Sequence, residues 1–248
     1  MDKKITGIMC AMPEEMAATL DFIEYKKEIK LSRRIFYTGK INNREVVAVV
    51  SGVGKVSAAL TAAALIFKFG VSEIIFTGSA GAISNDLKIG DIVLGKRFIQ
   101  HDIEESFLLA RDGAVPMLGG IFLESPASSV ERGKASIERL ISERAFTYKA
   151  DKLSITEPKL MIGDIASGDS FFATQEQKDN LLRKLPTILC VEMEGAAVAQ
   201  VCFENKVPFT IIRTISDTAD NSSPVSFYYF VQNVVSKYSA QIIKSFFF

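Results

Sequence analysis

Acidic side chains that follow apolar runs are the feature of this chain with the clearest chemical consequences. Ile188 to Val191 is an apolar run that stops at Glu192-Met193-Glu194, and a second run, Phe209 to Ile212, leads into Arg213, Ser216 and Asp217. Between them lies an alanine-rich segment with helical character to about Asn205, so the pattern reads strand, buried helix, strand. Ligands of open α/β sheets bind in the crevice outside the carboxyl ends of the strands. That rule gathers Glu192, Glu194 and Asp217 into one small space. Crowded carboxylates in a protected crevice cost stability through desolvation and mutual repulsion. A metal ion or acid–base chemistry is the usual compensation. The competing structural explanation has Glu192 and Asp217 cap helices or pair with Arg213 and Lys206.

The elements that must hold these groups alternate along the chain. Ile5 to Cys10 reads as a strand, and Pro13 suits the first turn of a helix whose N-terminus favours the negative charges of Glu14 and Glu15. For Glu14 that explanation suffices; Glu15 also stands beside the crevice at the end of the first strand. Arg34 to Gly39 and Glu45 to Val50 alternate like a hairpin around Asn42-Asn43. Ser51-Gly52-Val53-Gly54-Lys55 turns into a helix over Val56 to Phe67. It is not a phosphate loop, because Val49 stands where the first glycine belongs and Val56 follows the lysine.

Glu73 to Phe76 predicts a short strand, and Thr77-Gly78-Ser79-Ala80-Gly81 a sharp turn with exposed backbone N–H groups. Ser79 there is a hydrogen-bonding group rather than a nucleophile, since the GxSxG elbow is absent. Strands over Asp91 to Leu94 (loosely on to His101) and Met161 to Ser167, and helices over Ala135 to Phe146, Gln175 to Lys184 and Val225 to Phe247, complete the series. Phe171 and Phe172 follow a strand end, where they serve either as core or as a flat face for a planar ligand. Residues Ile103 to Lys134 lack a clean period and are read as loops over the site or at a partner chain.

Composition narrows the functional classes. The 248 residues are 48% apolar with no Pro- or Gly-rich linker, which predicts one α/β domain over residues 1–248. Twenty-nine basic residues balance 29 acidic ones, so no basic field exists to hold nucleic acid. The three cysteines, Cys10, Cys190 and Cys202, lie in apolar runs without metal-ligand spacing, and the single histidine, His101, argues further against a metal site. Ala58 to Phe67 is too short to span a membrane, and Glu14 and Glu15 break any signal-peptide pattern. A cytoplasmic protein is expected.

Six motifs taken together resemble the 5′-methylthioadenosine/S-adenosylhomocysteine nucleosidases of the nucleoside phosphorylase superfamily. They are AMPEEM (Ala11 to Met16), SGVGKV (Ser51 to Val56), TGSAGA (Thr77 to Ala82), SGDSFF (Ser167 to Phe172), VEMEGAA (Val191 to Ala197) and RTISDTAD (Arg213 to Asp220), and they occur in family order. The resemblance implies a three-layer α/β/α sandwich around a mixed, partly barrel-like central sheet, assembled as a homodimer. It implies hydrolysis of an N-glycosidic bond with water as nucleophile and no cofactor, on a small nucleoside. Carried onto matching positions, Asp217 is the general acid at purine N7, and Glu15 is the base for water, helped by Arg213. Met193 and Glu194 hold the ribose hydroxyls. Phe171 stacks on the purine, the backbones of Phe172 and Val191 read its edge, and Phe227 borders the 5′ group. Ser79, Ser216 and Glu192 support them. Within the superfamily the rival is a phosphorylase, but the loop after the first strand carries Pro13, Glu14 and Glu15, which would repel phosphate. A non-catalytic nucleobase-binding protein is the rival of another class, and the presence of both Asp217 and Glu15 counts against it. The stretch Ser106 to Met117 departs from the family pattern, so no residue is carried over from it.

Overall fold

The computed structural model of the protein describes residues 4–103, 122–150, 153–155 and 157–248. The stretch Ser106 to Met117 therefore lies outside the described residues. In chain order the elements are β1 (Ile5–Cys10), α1 (Pro13–Leu20), β2 (Glu24–Leu31), β3 (Arg34–Ile41), β4 (Arg44–Val50), α2 (Lys55–Phe69) and β5 (Glu73–Ala82). They continue with β6 (Ile92–Gln100), β7 (Leu123–Glu124), α3 (Ala127–Ser142), β8 (Tyr148–Ala150), β9 (Leu153–Ile155), β10 (Leu160–Ser167) and α4 (Gln175–Lys184). The last are β11 (Ile188–Glu192), α5 (Gly195–Glu204), β12 (Phe209–Asp217), α6 (Ser223–Asn233) and α7 (Val235–Ser245).

Strand order runs β11-β10-β6-β12-β5-β1-β4-β3-β2, and β11 also pairs with β5. That extra pairing, Cys190 opposite Ala82 and Val191 opposite Gly81, closes β5, β12, β6, β10 and β11 into a ring. Register shifts between Gly163 and Asp164, between Asp164 and Ile165, and between Ile215 and Asp217 supply the bends that curl the sheet. The result is the expected mixed, partly barrel-like sheet between helical layers.

Period-two alternation within the strands divides the interior. Met9, Val47, Val49, Phe76 and Ile211 point to the face covered by α2 and α5. Their neighbours Ile8, Val46, Ala48, Ile75 and Ile212 point to the face shared with α1, α3, α6 and α7. A smaller cluster, with Ile99, Phe172, Leu181 and Val191, seats α4. The hairpin between β3 and β4 turns on Asn42 and Asn43, both at positive φ (47° and 61°), as a two-residue turn requires.

Several boundaries differ from the sequence-based expectation. Thr77 to Gly81 is not a turn; β5 runs through it. β12 likewise continues through Asp217, and α3 begins at Ala127, where Gly133 fits closely beneath Leu94. The expected terminal helix is two helices, broken at Val234 (φ −122°, ψ −47°). The bend lets Phe230 and Val231 of α6 and Tyr238 and Ile242 of α7 reach one core. The apolar C-terminal residues are tied down: Asn42 donates to the Phe247 carbonyl at 2.6 Å, and the Arg44 guanidinium lies 4.4 Å from the Phe247 ring centre.

A Cβ placed on Gly95 would land on the ring of Phe98, which folds back over the strand. Gly95→Ala is therefore expected to lower the unfolding free energy by about 1–3 kcal/mol through overpacking. An equilibrium denaturant midpoint checks this; an unchanged midpoint would mean that the ring has room to turn aside.

Candidate active site

Residues from seven segments of the chain line one open cavity. The turn into α1 contributes Ala11, Met12 and Glu15, the loop before α2 contributes Val53, and the end of β5 contributes Ser79, Ala80 and Gly81. Val191, Glu192, Met193 and Glu194 come from β11 and the turn after it, and Ser216 and Asp217 from β12. Phe171 and Phe227 close the rim. A recess continues past Phe171 to Ser170 and Phe172. Every proposed site residue except Arg213 lies at this cavity or its recess, and Arg213 is packed directly behind the acids.

Arg213 is 1% exposed. It bonds the carboxylate of Glu192 directly, lies 3.6 Å from Glu194, and rests its guanidinium 4.2 Å from the centre of the Phe76 ring. β12 pairs with β5 so that Arg213 stands opposite Gly78, and a Cβ on Gly78 would collide with the guanidinium. Glycine is needed at position 78 for space. Gly81 plays a similar part for Asp217, whose Oδ1 would be 2.9 Å from an added Cβ.

Glu15 is buried, and its carboxylate is fully occupied. Oε2 accepts from the Ala11 and Met12 N–H groups (2.9 and 3.0 Å), and Oε1 accepts from the Ser79 N–H and hydroxyl (3.0 and 3.1 Å). Burial raises its pKa, while Arg213 and these donors hold it back. Four donors and no nearby acceptor partner suit the ionised form.

Asp217 is set differently. A register shift at Ser216 turns the end of β12 so that Asp217 meets Gly81 across the ladder. Oδ1 accepts from the Ala219 N–H at 2.9 Å, and Oδ2 is 2.8 Å from the Ser216 hydroxyl. Burial pushes this carboxyl up, against hydrogen bonds from Ser223, Ala219 and Ser216. Ser216 Oγ is also 3.2 Å from the Ala80 carbonyl. A hydroxyl has one proton and two lone pairs. Ser216 can thus donate to ionised Asp217, or donate to Ala80 and accept a hydrogen bond from neutral Asp217.

The other two acids divide between structure and cavity. Glu192 accepts from the N–H groups of Glu194 (3.1 Å) and Gly195 (2.7 and 2.9 Å), capping α5, and also bonds Ser167 and Arg213. The structural explanation offered for Glu192 from sequence, pairing with Arg213 and capping a helix, thus holds. Lys206 has no part in it. Glu194 accepts from the Gly54 N–H at 2.9 Å, and burial beside Glu192 pushes its pKa up to about 7 despite Arg213.

Phe171 is 41% exposed and meets Phe227 edge-on at 5.3 Å, whereas Phe172 is buried against His101. Of the pair, Phe172 is core, while Phe171 stands exposed at the cavity rim. Sequence reasoning gave no role to Ser167, whose hydroxyl bonds Glu192 and accepts from the Ala196 N–H at 2.7 Å. Nor did it single out Met12 and Val53 as cavity walls. A lone serine at a strand end carries no signal until the partner acid is located.

The chain is similar to known proteins over nearly its full length. The phosphorylase superfamily profile matches residues 5–247. A 5′-methylthioadenosine/S-adenosylhomocysteine nucleosidase of Staphylococcus haemolyticus is 34% identical over 239 residues, covering 96% of this chain and 97% of that protein. The structure of the Neisseria meningitidis nucleosidase of the same name, in complex with methylthio-immucillin-A, superposes with a TM-score of 0.87 at 30% identity, covering 98% of each chain. A futalosine hydrolase of Helicobacter pylori superposes with a TM-score of 0.85 at 33% identity, covering 98% of this chain and 97% of that one. With these likenesses spanning nearly its full length, the chain belongs to the phosphorylase superfamily and, within it, to the family of 5′-methylthioadenosine/S-adenosylhomocysteine nucleosidases.

Proposed function

We propose that this chain hydrolyses the N-glycosidic bond of 5′-methylthioadenosine and S-adenosylhomocysteine, releasing adenine and methylthioribose or S-ribosylhomocysteine. The observation that carries the reading is the presence of two differently treated acids on one cavity. Glu15 is held by four donors, and Asp217 is buried beside a hydroxyl that can accept a hydrogen bond from its protonated form. Cleavage of this bond builds positive charge on the sugar and negative charge on the departing base, so it needs an acid at one end and a base at the other.

In this reading Asp217 protonates N7 of adenine, with Ser216 orienting it. Glu15 activates the attacking water, with Ser79 holding the carboxylate and Arg213 opposing its neutralisation. Glu194 and the Met193 backbone hold the ribose hydroxyls, and Glu192 fixes the turn that carries them. Phe171 offers its exposed face to the purine, the backbones of Phe172 and Val191 read the purine edge, and Phe227 borders the 5′ substituent.

A second substrate reading has a specific basis. The likeness to a futalosine hydrolase is as extensive as that to the nucleosidases. Futalosine-type nucleosides and 5′-deoxyadenosine are therefore tested beside the two named substrates.

The partner in assembly is a second copy of the chain. Val56, Leu60 and Phe67 of α2 and Phe203 of α5 are exposed large apolar residues, and Val53, at the start of this stripe, lines the cavity. The whole chain, residues 1–248, acts as one nucleosidase domain. Among the described residues no helix is long and apolar enough to cross a membrane, and the three cysteines are buried and free. A cytoplasmic setting suits both.

Incubation with each nucleoside in phosphate-free buffer is expected to release free adenine from methylthioadenosine and S-adenosylhomocysteine; no release, or release only on adding phosphate, would overturn the assignment. Relative kcat/KM across the 5′-substituted panel ranks the substrates. Asp217→Asn and Glu15→Gln are each expected to lower kcat by about 10²–10⁴ while the fold is kept; a near-normal rate in either removes that residue's role. The pH profile follows from the directions of the shifts. Asp217 must be protonated, so kcat/KM falls as pH rises through its raised pKa. Glu15 must be ionised, so the rate falls as pH drops through a pKa that lies above that of a free carboxylate. An acid limb at the ordinary glutamate position would remove Glu15 as its source. Sedimentation should find a dimer that Leu60→Asp converts to monomer; a wild-type monomer would remove the assembly proposal.

A further inference from the structure

Lys178 belongs to α4 and does not line the cavity, yet only 5% of it is exposed. An ammonium is seldom taken out of water unless it is paired. Its Nζ donates to the carbonyl oxygen of Thr218 at 3.0 Å. Asp220, Asp179 and Asp217 are the acids whose charges act on it.

The carbonyl that Lys178 holds belongs to the same peptide group as the Ala219 N–H, and that N–H donates to Asp217 Oδ1 at 2.9 Å. One amide thus has the ammonium on its oxygen and Asp217 on its hydrogen. Hydrogen bonds in such a chain polarise one another, and the positive end strengthens donation to the carboxylate. The segment also needs a clamp. Ala219 sits at φ +53°, a conformation that side-chain-bearing residues seldom adopt. Thr218 Oγ1 donates to Asp220 (2.6 Å) and the Asp220 N–H donates to Ser223 (2.8 Å), which fixes the far side of the loop.

We propose that Lys178 is a positioning residue for Asp217, setting the orientation and acid strength of its carboxyl through the Thr218–Ala219 peptide. The inference rests on the reading of Asp217 as the general acid. Burial makes Asp217 reluctant to give up its proton. The Lys178 charge, relayed by the peptide, favours the carboxylate that remains once the proton has gone to the purine. Without that charge Asp217 is a weaker acid and keeps its proton to higher pH.

The test is kcat against pH with methylthioadenosine for wild type, Lys178→Met, Lys178→Gln and Lys178→Arg, each checked for folding by circular dichroism. A hydrogen bond to a charged group is worth about 1.5–3 kcal/mol, so Lys178→Met is expected to lower kcat at least tenfold with little change in KM. Its alkaline limb should move to higher pH. Lys178→Arg should restore both. Lys178→Gln, which keeps a donor for the carbonyl but no charge, should keep the upward shift of the limb, and it carries the test if the methionine variant does not fold. A folded neutral variant whose limb coincides with wild type overturns the proposal. Asp217→Asn, run in parallel, separates the two levels. If it is inactive while the neutral Lys178 variants titrate as wild type, only the role of Lys178 falls. If it is active, the general-acid reading falls and this inference with it.

Discussion

Burying one guanidinium is the constraint to which the rest of the site conforms. Effective desolvation of a single ion costs several kcal/mol even after relaxation, and Arg213 is almost completely removed from water. Its compensation comes from separate parts of the chain: Glu192 at the end of β11, Glu194 in the turn before α5, Glu15 from α1, and the face of Phe76 from β5. β5 pairs directly with β12 and so sets Phe76 beside Arg213, whereas Glu192 and Glu194 follow β11, whose pairing with β5 closes the ring. Barrel closure and the ion cluster are thus coupled through these two glutamates. Losing one partner strands a buried charge, which is why such clusters tolerate little change.

The same cluster separates the acids chemically. Three carboxylates crowd one guanidinium; burial and the neighbouring charge of Glu192 push Glu194 up to about 7, and burial raises Glu15. Glu15 offsets this with four donors, two from the chain entering α1 and two from Ser79. Asp217 stands at the end of β12, where burial raises its pKa and the leading opposing effects are hydrogen bonds from Ser223, Ala219 and Ser216. Glu15 is held back mainly by the charge of Arg213 and Asp217 mainly by hydrogen bonds, two different environments that suit the proposed base and acid. The separation is achieved by strand register: Arg213 and Asp217 lie on the same strand, and a bulge between them changes what each one faces.

What could be read from the sequence follows the strength of the local signals. Alternating apolar strands, the Asn42-Asn43 turn and the capped helix α4 each carry their own cues, and all three are present as expected. The run Thr77 to Gly81 misled because glycine and serine usually mark turns. Here they are strand residues kept small so that Arg213 and Asp217 can cross the ladder, a tertiary reason invisible in the local pattern. β2 was missed because its residues Glu24 to Lys30 are all exposed, leaving no apolar face to betray the period. Its lysines suit an edge strand, where they discourage pairing with other chains. The break at Val234 has neither glycine nor proline to announce it, and only the need of two helices to reach one core explains it. At the site, the convergence of acids was legible because acids that follow apolar runs mark the carboxyl-end crevice of a sheet, even where the strands end later than expected. The hubs Ser167 and Gly78 were not, because their importance lies in partners far away in sequence.

The loop that resembles a phosphate-binding turn shows how the chain favours water as the nucleophile. Gly52 and Gly54 both take positive φ, and the chain enters α2 with its N–H groups facing the site. A helix start of this kind ordinarily attracts an anion. In this structure the anions are the protein's own: the Gly54 N–H donates to Glu194, and the Lys55 N–H donates to Asp169 at 2.8 Å. The Lys55 ammonium is likewise held by Asp102 at 2.5 Å. Phosphate entering here would have to displace two carboxylates and then endure their charge, together with that of Glu15, at short range. A neutral water molecule faces none of that repulsion. The internal acids thus fill the electrostatic role of phosphate at the mouth of α2, which suits the proposed role of Glu15 in preparing water as the nucleophile.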